Sequence, residues 1–318
     1  MDMIEKIRAL GIIPVIKLND PADAVPLCQA LARGGLPVAE ITFRTAAAEE
    51  SIRRVAQALP EVLVGAGTVL TCDQADRAMA AGARFIVTPG FNPEVVGHCV
   101  DKGYPVFPGC PTTSDIEQAI RLGLKVVKFF PAEAMGGLNT IKAVSAPYGD
   151  MLFMPTGGVN EDNLNTYLSF PKIIACGGSW MAKSDLIEKG AFDQIEELTR
   201  RAVRRMMGFE LTHIGINAAD EGEAEAVAKR FSALFGWPVK PGNSSDFAGS
   251  YIEVMKAPGR GAKGHIAVGC NSVVRAKAYL ESQGFTFAED SAKTKNGLLT
   301  AIYLTDEIAG FAVHLVQK

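Results

Sequence analysis

One lysine within an apolar run is the residue of this sequence best suited to covalent chemistry. Lys128 is the third residue of the run VVKFF at positions 126–130, where strand geometry puts residues 126, 128 and 130 on one face. Burial there would disfavour the ammonium form, and a neutral amine can attack a ketone and form a Schiff base. The alternative is a lysine at a strand end, whose stem covers apolar surface while its ammonium reaches solvent.

A carboxylate and a guanidinium share one face of an earlier apolar run. Glu40 and Arg44 lie in VAEITFR at positions 38–44, and alternation points both toward the centre or mouth of a closed sheet. A buried carboxyl could shuttle protons, and an arginine could bind a substrate carboxylate through two hydrogen bonds. The alternative interpretation is a structural Glu–Arg ion pair.

Two glycine pairs follow the last two apolar runs of the first 180 residues. They are Gly157-Gly158 and Gly177-Gly178, the second followed by Ser179. Backbone N–H groups of such loops often bind phosphate in eight-stranded barrels, whereas one pair alone is more often a tight turn. Thr68, after Gly65-Ala66-Gly67, could donate a hydrogen bond to a carboxylate. No glycine-rich loop matches the dinucleotide-binding fingerprint.

Apolar runs alternate with helical patterns between residues 10 and 180, which is typical of a parallel α/β sheet. The runs are nearly continuous, as expected of strands covered on both faces. Eight such strands predict a (β/α)8 TIM barrel. The predicted strands are Ile12–Ile16, Val38–Phe43, Val62–Gly65, Phe85–Thr88, Pro105–Phe107, Val126–Phe130, Leu152–Pro155 and Ile173–Ala175. The helical patterns include Ala22–Ala32, Ala46–Ala58, Gln74–Ala81 and Ile116–Arg121.

An internal repeat begins near residue 210. Thr212–Ile216 is echoed by Gly264–Val268, and a helical pattern follows each copy. The spacing of about 52 residues indicates two βαβββ units, which could form one curved sheet with a cleft between them. The remaining predicted elements are helices over Gly222–Phe235 and Ser272–Ser282, and strands over Tyr251–Met255, Thr300–Leu304 and Phe311–Val316. Residues 200–210 are the predicted junction, which divides the chain into residues 1–207 and 208–318.

Size and composition indicate a globular protein of two domains. The chain has 318 residues and a formal net charge of −3, without the basic runs that nucleic-acid binding would require. It has no signal-like N-terminus and no apolar run long enough to cross a membrane. Its six cysteines lack a C-x-x-C pattern, which is typical of reduced thiols. We therefore expect a cytoplasmic protein that acts on small molecules, with no nucleic-acid or membrane partner.

The motifs of residues 1–207 resemble those of the 2-keto-3-deoxy-6-phosphogluconate (KDPG) / 4-hydroxy-2-oxoglutarate aldolase family. They occur in order along nearly the whole first domain. They are EITFR at 40–44, VGAGTV at 64–69, TPG at 88–90, PG at 108–109, VKFFPAE at 127–133, PTGG at 155–158 and GGSW at 177–180.

The resemblance implies a lyase that cleaves KDPG to pyruvate and glyceraldehyde 3-phosphate, and 4-hydroxy-2-oxoglutarate to pyruvate and glyoxylate. It implies a homotrimer and no cofactor for this reaction. Lys128 would form the Schiff base and Glu40 would move protons. The implied substrate contacts are Arg44 and Thr68 for the pyruvate carboxylate, Pro89 and Phe130 for the pocket wall, and Gly157, Gly158, Gly178 and Ser179 for phosphate.

Residues 210–318 resemble a vicinal-oxygen-chelate (glyoxalase-like) domain. Members of that group commonly carry metal ligands on the first and last strands of each unit, and those positions here hold His213, Glu253, His265 and His314. Such ligands suit a divalent transition metal. His314 stands where the group usually has glutamate. The alternative is that these residues are cleft or surface polar groups of a domain kept for assembly.

Three hypotheses follow for the whole chain. The first is an aldolase with a passive or regulatory C-terminal domain. The second is a bifunctional enzyme that adds a metal-dependent isomerase, epimerase or lyase. The third makes the C-terminal domain a small-molecule binding or oligomerisation module. Treatment with EDTA separates the last two, because only a metal-dependent second activity would be lost.

Overall fold

The computed structural model describes residues 2–318 and divides into two compact units. The first unit ends at Met206, and the second spans Met207–Lys318. The first alternates parallel strands with helices, whereas the second is mostly sheet.

Eight parallel strands form the sheets in the described part of the first unit. Six pair in the order β5-β4-β3-β2-β1-β8, and β6 pairs with β7. Two isolated bridges connect the β6–β7 pair to the six-stranded sheet. One joins Gly109 to Lys128, and the other joins Thr156 to Gly177. The strands are β1 Ile12–Ile16, β2 Val38–Thr42, β3 Leu63–Gly67, β4 Ile86–Val87, β5 Val106–Phe107, β6 Val126–Phe129, β7 Leu152–Pro155 and β8 Cys176–Gly178.

The position predicted for the eighth strand is wrong by three residues. Ile173–Ala175 is buried, but the ladder with β1 is formed by the next three residues, beginning at the Ile12–Cys176 pair. Ile173 makes only a single bridge, to Phe153. The apolar segment therefore contacts β7 at one bridge, whereas the ladder with β1 is formed by the three residues that follow it.

Several helices of the first unit have clear start signals. Thr112 caps α6 in a capping box with Asp115, and Thr71 and Asn92 cap α4 and α5 through side-chain oxygens. The helices are α1 Met3–Leu10, α2 Ala24–Arg33, α3 Ala48–Ala58, α4 Cys72–Ala80, α5 Pro93–Asp101, α6 Thr113–Arg121, α7 Gly137–Ser145, α8 Leu164–Leu168, α9 Ser184–Glu188 and α10 Phe192–Met207. Across residues 2–318, none of the helices combines the length and apolarity of a membrane span.

Most of the predicted junction is helical. Residues 200–207 belong to α10, and the connection to the next strand is residues 208–209. Ile195, Ala202, Val203 and Met206 recur at helical spacing and are buried. The Arg-rich sequence therefore belongs to an amphipathic helix and not to a linker.

Strands of the first unit are covered on both faces. Every residue of β2 and of β6 is buried, including Glu40 and Lys128. Since side chains alternate along a strand, this burial means that both faces are packed. The two charged side chains are thus held in a largely apolar interior.

The second unit contains one eight-stranded sheet in the order β10-β11-β12-β9-β13-β16-β15-β14. Each half has the order strand, helix and three strands. The first half consists of β9 Glu210–Asn217, α11 Glu221–Phe235, β10 Val239–Pro241, β11 Ser245–Ala248 and β12 Ile252–Met255. The second half consists of β13 His265–Cys270, α12 Val273–Ser282, β14 Phe287–Lys295, β15 Leu298–Leu304 and β16 Ala312–Gln317.

Candidate functional site

Lys128 and Glu40 meet inside the first unit. Lys128 Nζ donates a hydrogen bond to Glu40 Oε1 at 3.3 Å, and the residues are 6% and 3% exposed. Lys128 therefore does not reach bulk solvent, and Glu40 pairs with it rather than with Arg44 in the described structure. This pair places a primary amine beside an acid/base group with little water between them.

The backbone fixes both side chains. Glu40 lies within β2, where it is paired with Val15 and Gly65. The backbone N–H of Lys128 donates to the Pro108 carbonyl, and its carbonyl accepts from Cys110. Neighbouring strands on each side therefore hold both positions.

Small and aromatic residues shape the space around the pair. A Cβ on Gly67 would overlap the Glu40 carboxylate, so that glycine leaves the room the carboxylate occupies. The Phe130 ring lies 5.4 Å from Lys128 Nζ and is 36% exposed. Phe130 thus borders the space beside the amine and is itself accessible from outside.

A thiol next to the lysine is not a competing nucleophile. Cys110 is fully buried, and burial raises the pKa of its thiol well above its usual range. The thiolate, which is the reactive form, is therefore scarce at neutral pH.

The residues expected at the pyruvate carboxylate lie just beyond the strand ends. Arg44 is exposed in the turn after β2, and its Nε donates to Thr42 Oγ1 at 3.0 Å. Thr68 follows β3 and has a left-handed backbone with φ of 55°, which is uncommon for a β-branched residue. Pro89, two residues after β4, is partly exposed. All three follow the carboxyl ends of neighbouring strands.

The two glycine pairs lie on adjacent strand ends. Gly157 and Gly158 follow β7 with φ of 97° and 83°, and Gly178 ends β8, with Ser179 exposed beside it. A Cβ at Gly158 would overlap the Glu133 side chain. Side-chain amides hold the first loop, since Asn160 and Asn163 both donate to the Gly158 carbonyl. These glycines therefore let the Glu133 side chain pack close against the backbone at Gly158, and the Trp180 ring against the backbone at Gly178.

Three histidines converge in the second unit. His213 on β9 and His314 on β16 both pair with Ala267 of β13, and His265 lies two residues before Ala267. Because alternate residues share a face, the three rings project together. One nitrogen from each lies within 4.8 Å of the others.

One histidine of this cluster lacks the partners that buried polar atoms normally have. Both ring nitrogens of His314 are buried without a hydrogen bond, whereas His213 Nε2 lies 3.0 Å from a carboxylate oxygen of Glu253. Burial and the neighbouring His265 and His213 lower the pKa of His314 to about 4. His314 is therefore neutral at pH 7, which is the form that ligates a metal.

A carboxylate adjoins the histidine cluster. Glu253 Oε2 lies 3.0 Å from His213 Nε2 and 3.1 Å from His265 Nε2, and Ser245 donates to Glu253 Oε1 at 2.6 Å. Burial raises the pKa of Glu253, but contacts from these three residues outweigh it and hold the pKa well below its usual range. The cluster thus offers three imidazoles and one ionised carboxylate.

Sequence reasoning missed several residues around both clusters. It gave no role to Gly67, nor to Gly215, where a Cβ would overlap the His265 ring. Gly215 lies directly opposite His265, whereas Gly67 lies diagonally from Glu40, opposite Thr42. A glycine on a strand next to one with a functional side chain is the signal that could have marked both. Ser245 and Tyr303, which stacks on His314 with centroids 4.5 Å apart, lacked any motif. His98 is an ordinary residue of α5, paired with Asp76 at 2.9 Å.

The first unit resembles known aldolases in sequence. The family model for KDPG and KHG aldolase matches residues 3–198. The 2-dehydro-3-deoxy-phosphogluconate aldolase of Treponema pallidum is 46% identical over 202 residues, which is 64% of this chain and 96% of that protein. The KHG/KDPG aldolase of Escherichia coli K12 is 39% identical over 200 residues, covering 63% of this chain and 94% of that protein.

Solved structures agree with the sequence comparison. A KDPG aldolase from Legionella pneumophila, with pyruvate captured as a covalent carbinolamine, has a TM-score of 0.61 at 35% identity and covers 63% of this chain and 98% of its own. A Zymomonas mobilis KDPG aldolase with 3-phosphoglycerate has a TM-score of 0.59 at 36% identity, covering 63% and 94%. The first unit therefore has an aldolase-type α/β fold.

Proposed function

This chain belongs to the KDPG and KHG aldolase family, as its motifs predicted, and on that premise we propose that it is a class I aldolase whose Schiff base forms on Lys128. Its substrates are KDPG, cleaved to pyruvate and glyceraldehyde 3-phosphate, and 4-hydroxy-2-oxoglutarate, cleaved to pyruvate and glyoxylate. The observation that carries the proposal is the buried amine 3.3 Å from a buried carboxylate.

The amine and the carboxylate have complementary tasks. The Lys128 amine adds to the C2 ketone and loses water to form a protonated imine, which is an electron sink. Glu40 removes the proton from the C4 hydroxyl, the C3–C4 bond breaks, and its electrons move into the imine to form an enamine. Glu40 then returns the proton to C3, and water releases pyruvate from Lys128.

The surrounding residues fix the substrate for these steps. Arg44 and Thr68 hold the pyruvate carboxylate, and Pro89 and Phe130 form the wall of the pocket. We place the phosphate of KDPG on the backbone N–H groups of Gly157, Gly158 and Gly178, with the Ser179 hydroxyl. The eight parallel strands form a (β/α)8 barrel in this proposal, and their carboxyl ends carry all of these groups.

An assay of pyruvate release tests the proposed reaction. The purified full chain should release pyruvate from KDPG in a lactate-dehydrogenase-coupled assay, and EDTA should not slow it, because the nucleophile is a side chain. Absence of pyruvate from both KDPG and 4-hydroxy-2-oxoglutarate would reject the proposal.

Ser179→Ala should weaken binding of the phosphorylated substrate without affecting the unphosphorylated one. Loss of one charge-assisted hydrogen bond is expected to raise the KM for KDPG about 10-fold. The KM for 4-hydroxy-2-oxoglutarate, which has no phosphate, should not change. Steady-state kinetics on both substrates check this, with the exposed Ser184→Ala as the control. Equal effects on both substrates would remove Ser179 from the phosphate site.

We further propose a homotrimer in the cytoplasm, which rests on the family resemblance. Sedimentation equilibrium should then give three times the 33.8 kDa of one chain. A monomer mass at micromolar concentration would reject the trimer.

The C-terminal residues support a second function, a divalent transition-metal centre in a glyoxalase-like domain. Three histidine nitrogens lie within 4.8 Å of one another, and neither ring nitrogen of His314 has a hydrogen bond. Such a set fits the donors that these metals prefer. His213, His265 and His314 would hold the metal, with Glu253 as the fourth ligand. Bound there, the metal would supply Lewis-acid chemistry for an isomerase, epimerase or lyase, or anchor a bound ligand.

His314→Ala should weaken metal binding by at least about 100-fold, because it removes one of the proposed ligands. Metal analysis after dialysis against Ni²⁺ or Co²⁺ should give about one ion per chain in the parent and much less in the variant. His98→Ala, a histidine outside the cluster, is the control. Equal metal content in the parent and in His314→Ala would contradict the proposed centre.

A further inference from the structure

A cleft of about 580 Å³ in the second unit joins the histidine cluster to two lysines. His213, His265 and His314 line one part of it, and Lys293 and Lys295 on β14 line another. A cleft of this size suits a small molecule. Its occupant would touch the proposed metal and the lysines together.

Strand pairing puts Lys293 on the histidine face of the sheet. Lys293 pairs with Ala301 of β15, which pairs with Val316 of β16, and Val316 lies two residues after His314. Since strands are about 4.8 Å apart, the Lys293 backbone is about 10 Å from Val316. A four-carbon lysine stem can cover much of that distance, so its ammonium can approach a group bound beside His314.

The charge of the cleft is unbalanced. Among the described residues lining it, Glu253 has the single carboxylate side chain, which contacts His213 and His265. Lys293 and Lys295 form no ion pair within residues 2–318, whereas Lys318 pairs with Glu210 at 3.1 Å. The outer part of the cleft is therefore positive and complements an anion.

We infer that this cleft binds a small 2-hydroxy or 2-oxo carboxylate with a second anionic group at its far end. The inference rests on the proposed metal centre. The carboxylate and its neighbouring oxygen bind the metal held by the histidine cluster, and the distal anion binds Lys293 and Lys295. A carboxylate and a phosphate are both suitable as the distal group.

The experiment uses the full chain loaded with Co²⁺, whose visible spectrum reports ligands at the metal. The probes are 2-hydroxyglutarate, 3-phosphoglycerate and 2-hydroxypentanoate, which share a chelating end and differ in the distal group. None has a ketone, so none forms a Schiff base with Lys128. We expect 2-hydroxyglutarate, 3-phosphoglycerate or both to bind about 10-fold more tightly than 2-hydroxypentanoate. Tighter binding of 2-hydroxyglutarate indicates a distal carboxylate, and tighter binding of 3-phosphoglycerate indicates a distal phosphate.

A double variant assigns that preference to the lysines. Lys293→Gln/Lys295→Gln should abolish the preference while leaving Co²⁺ content and the affinity for 2-hydroxypentanoate unchanged. The control is Lys229→Gln/Lys240→Gln, which removes the same charge outside the cleft lining and should keep the preference.

The experiment distinguishes failure of the metal centre from failure of the anion site. If no Co²⁺ spectrum develops, the metal centre is wrong and the inference falls with it. If Co²⁺ binds but the three probes bind equally, or the double variant keeps the preference, the anion site is wrong and the metal centre stands.

Discussion

Lys128→Ala is expected to lower KDPG cleavage by about 10⁴-fold or more, the largest effect of any single substitution in this chain. The covalent intermediate cannot form without the amine. The other catalytic groups act together with this nucleophile, so they add little to the rate once it is removed. The coupled assay for pyruvate measures the loss, and circular dichroism checks that the variant is folded.

Lys125→Ala is the matched control for this variant. Lys125 immediately precedes β6 and is exposed, so its removal should leave the rate within a factor of about two. Near-normal cleavage by Lys128→Ala would contradict covalent catalysis at this position.

Glu40→Gln is expected to lower kcat by about 10² to 10⁴-fold, the range for loss of a general acid/base. Glutamine keeps the shape of the side chain and can still contact Lys128, but it cannot carry the proton. A more specific readout is exchange of the pyruvate methyl protons in D₂O, measured by NMR, which should be lost because it requires reversible deprotonation at C3.

Glu61→Gln, at an exposed position after α3, controls for loss of a negative charge. Methyl exchange by Glu40→Gln at the parent rate would show that another group moves the proton, even if overall cleavage were slow.

Much of the first unit was predictable because burial on both faces imposes apolar runs. β1 and β7 begin and end where the sequence predicts. One error arises where an apolar run forms only a single bridge with its neighbour, as at Ile173–Ala175. Another arises where charged residues hide a helical periodicity. In α10 the arginines suggest a junction, although Ile195, Val203 and Met206 keep helical spacing.

The edge strands of the second sheet were not predictable, because a strand that is mostly exposed carries no apolar pattern. β14 pairs only with β15, and of its nine residues Phe287 alone is buried. It therefore shows no apolar alternation, although it carries Lys293 and Lys295. β10 is short and contains Pro241 at the other edge, where a missing N–H costs no ladder hydrogen bond.

The sequence suggests candidate residues for both sites, but it does not set the geometry between them. Alternation placed Glu40 on an inner face, yet nothing in the sequence set its distance from Lys128, which lies 88 positions away. Arg44 was expected on the strand, but β2 ends at Thr42 and the guanidinium lies in the following turn. Such separations depend on how strands pair, which a local pattern does not encode.

Trapping with borohydride tests the central claim most directly. The full chain is incubated with pyruvate, reduced, and digested for peptide mass mapping. We expect a stable pyruvate-sized adduct on Lys128 and none on Lys125 or Lys142. An adduct on a different lysine, or none under conditions in which the enzyme turns over, would contradict a Schiff base at position 128.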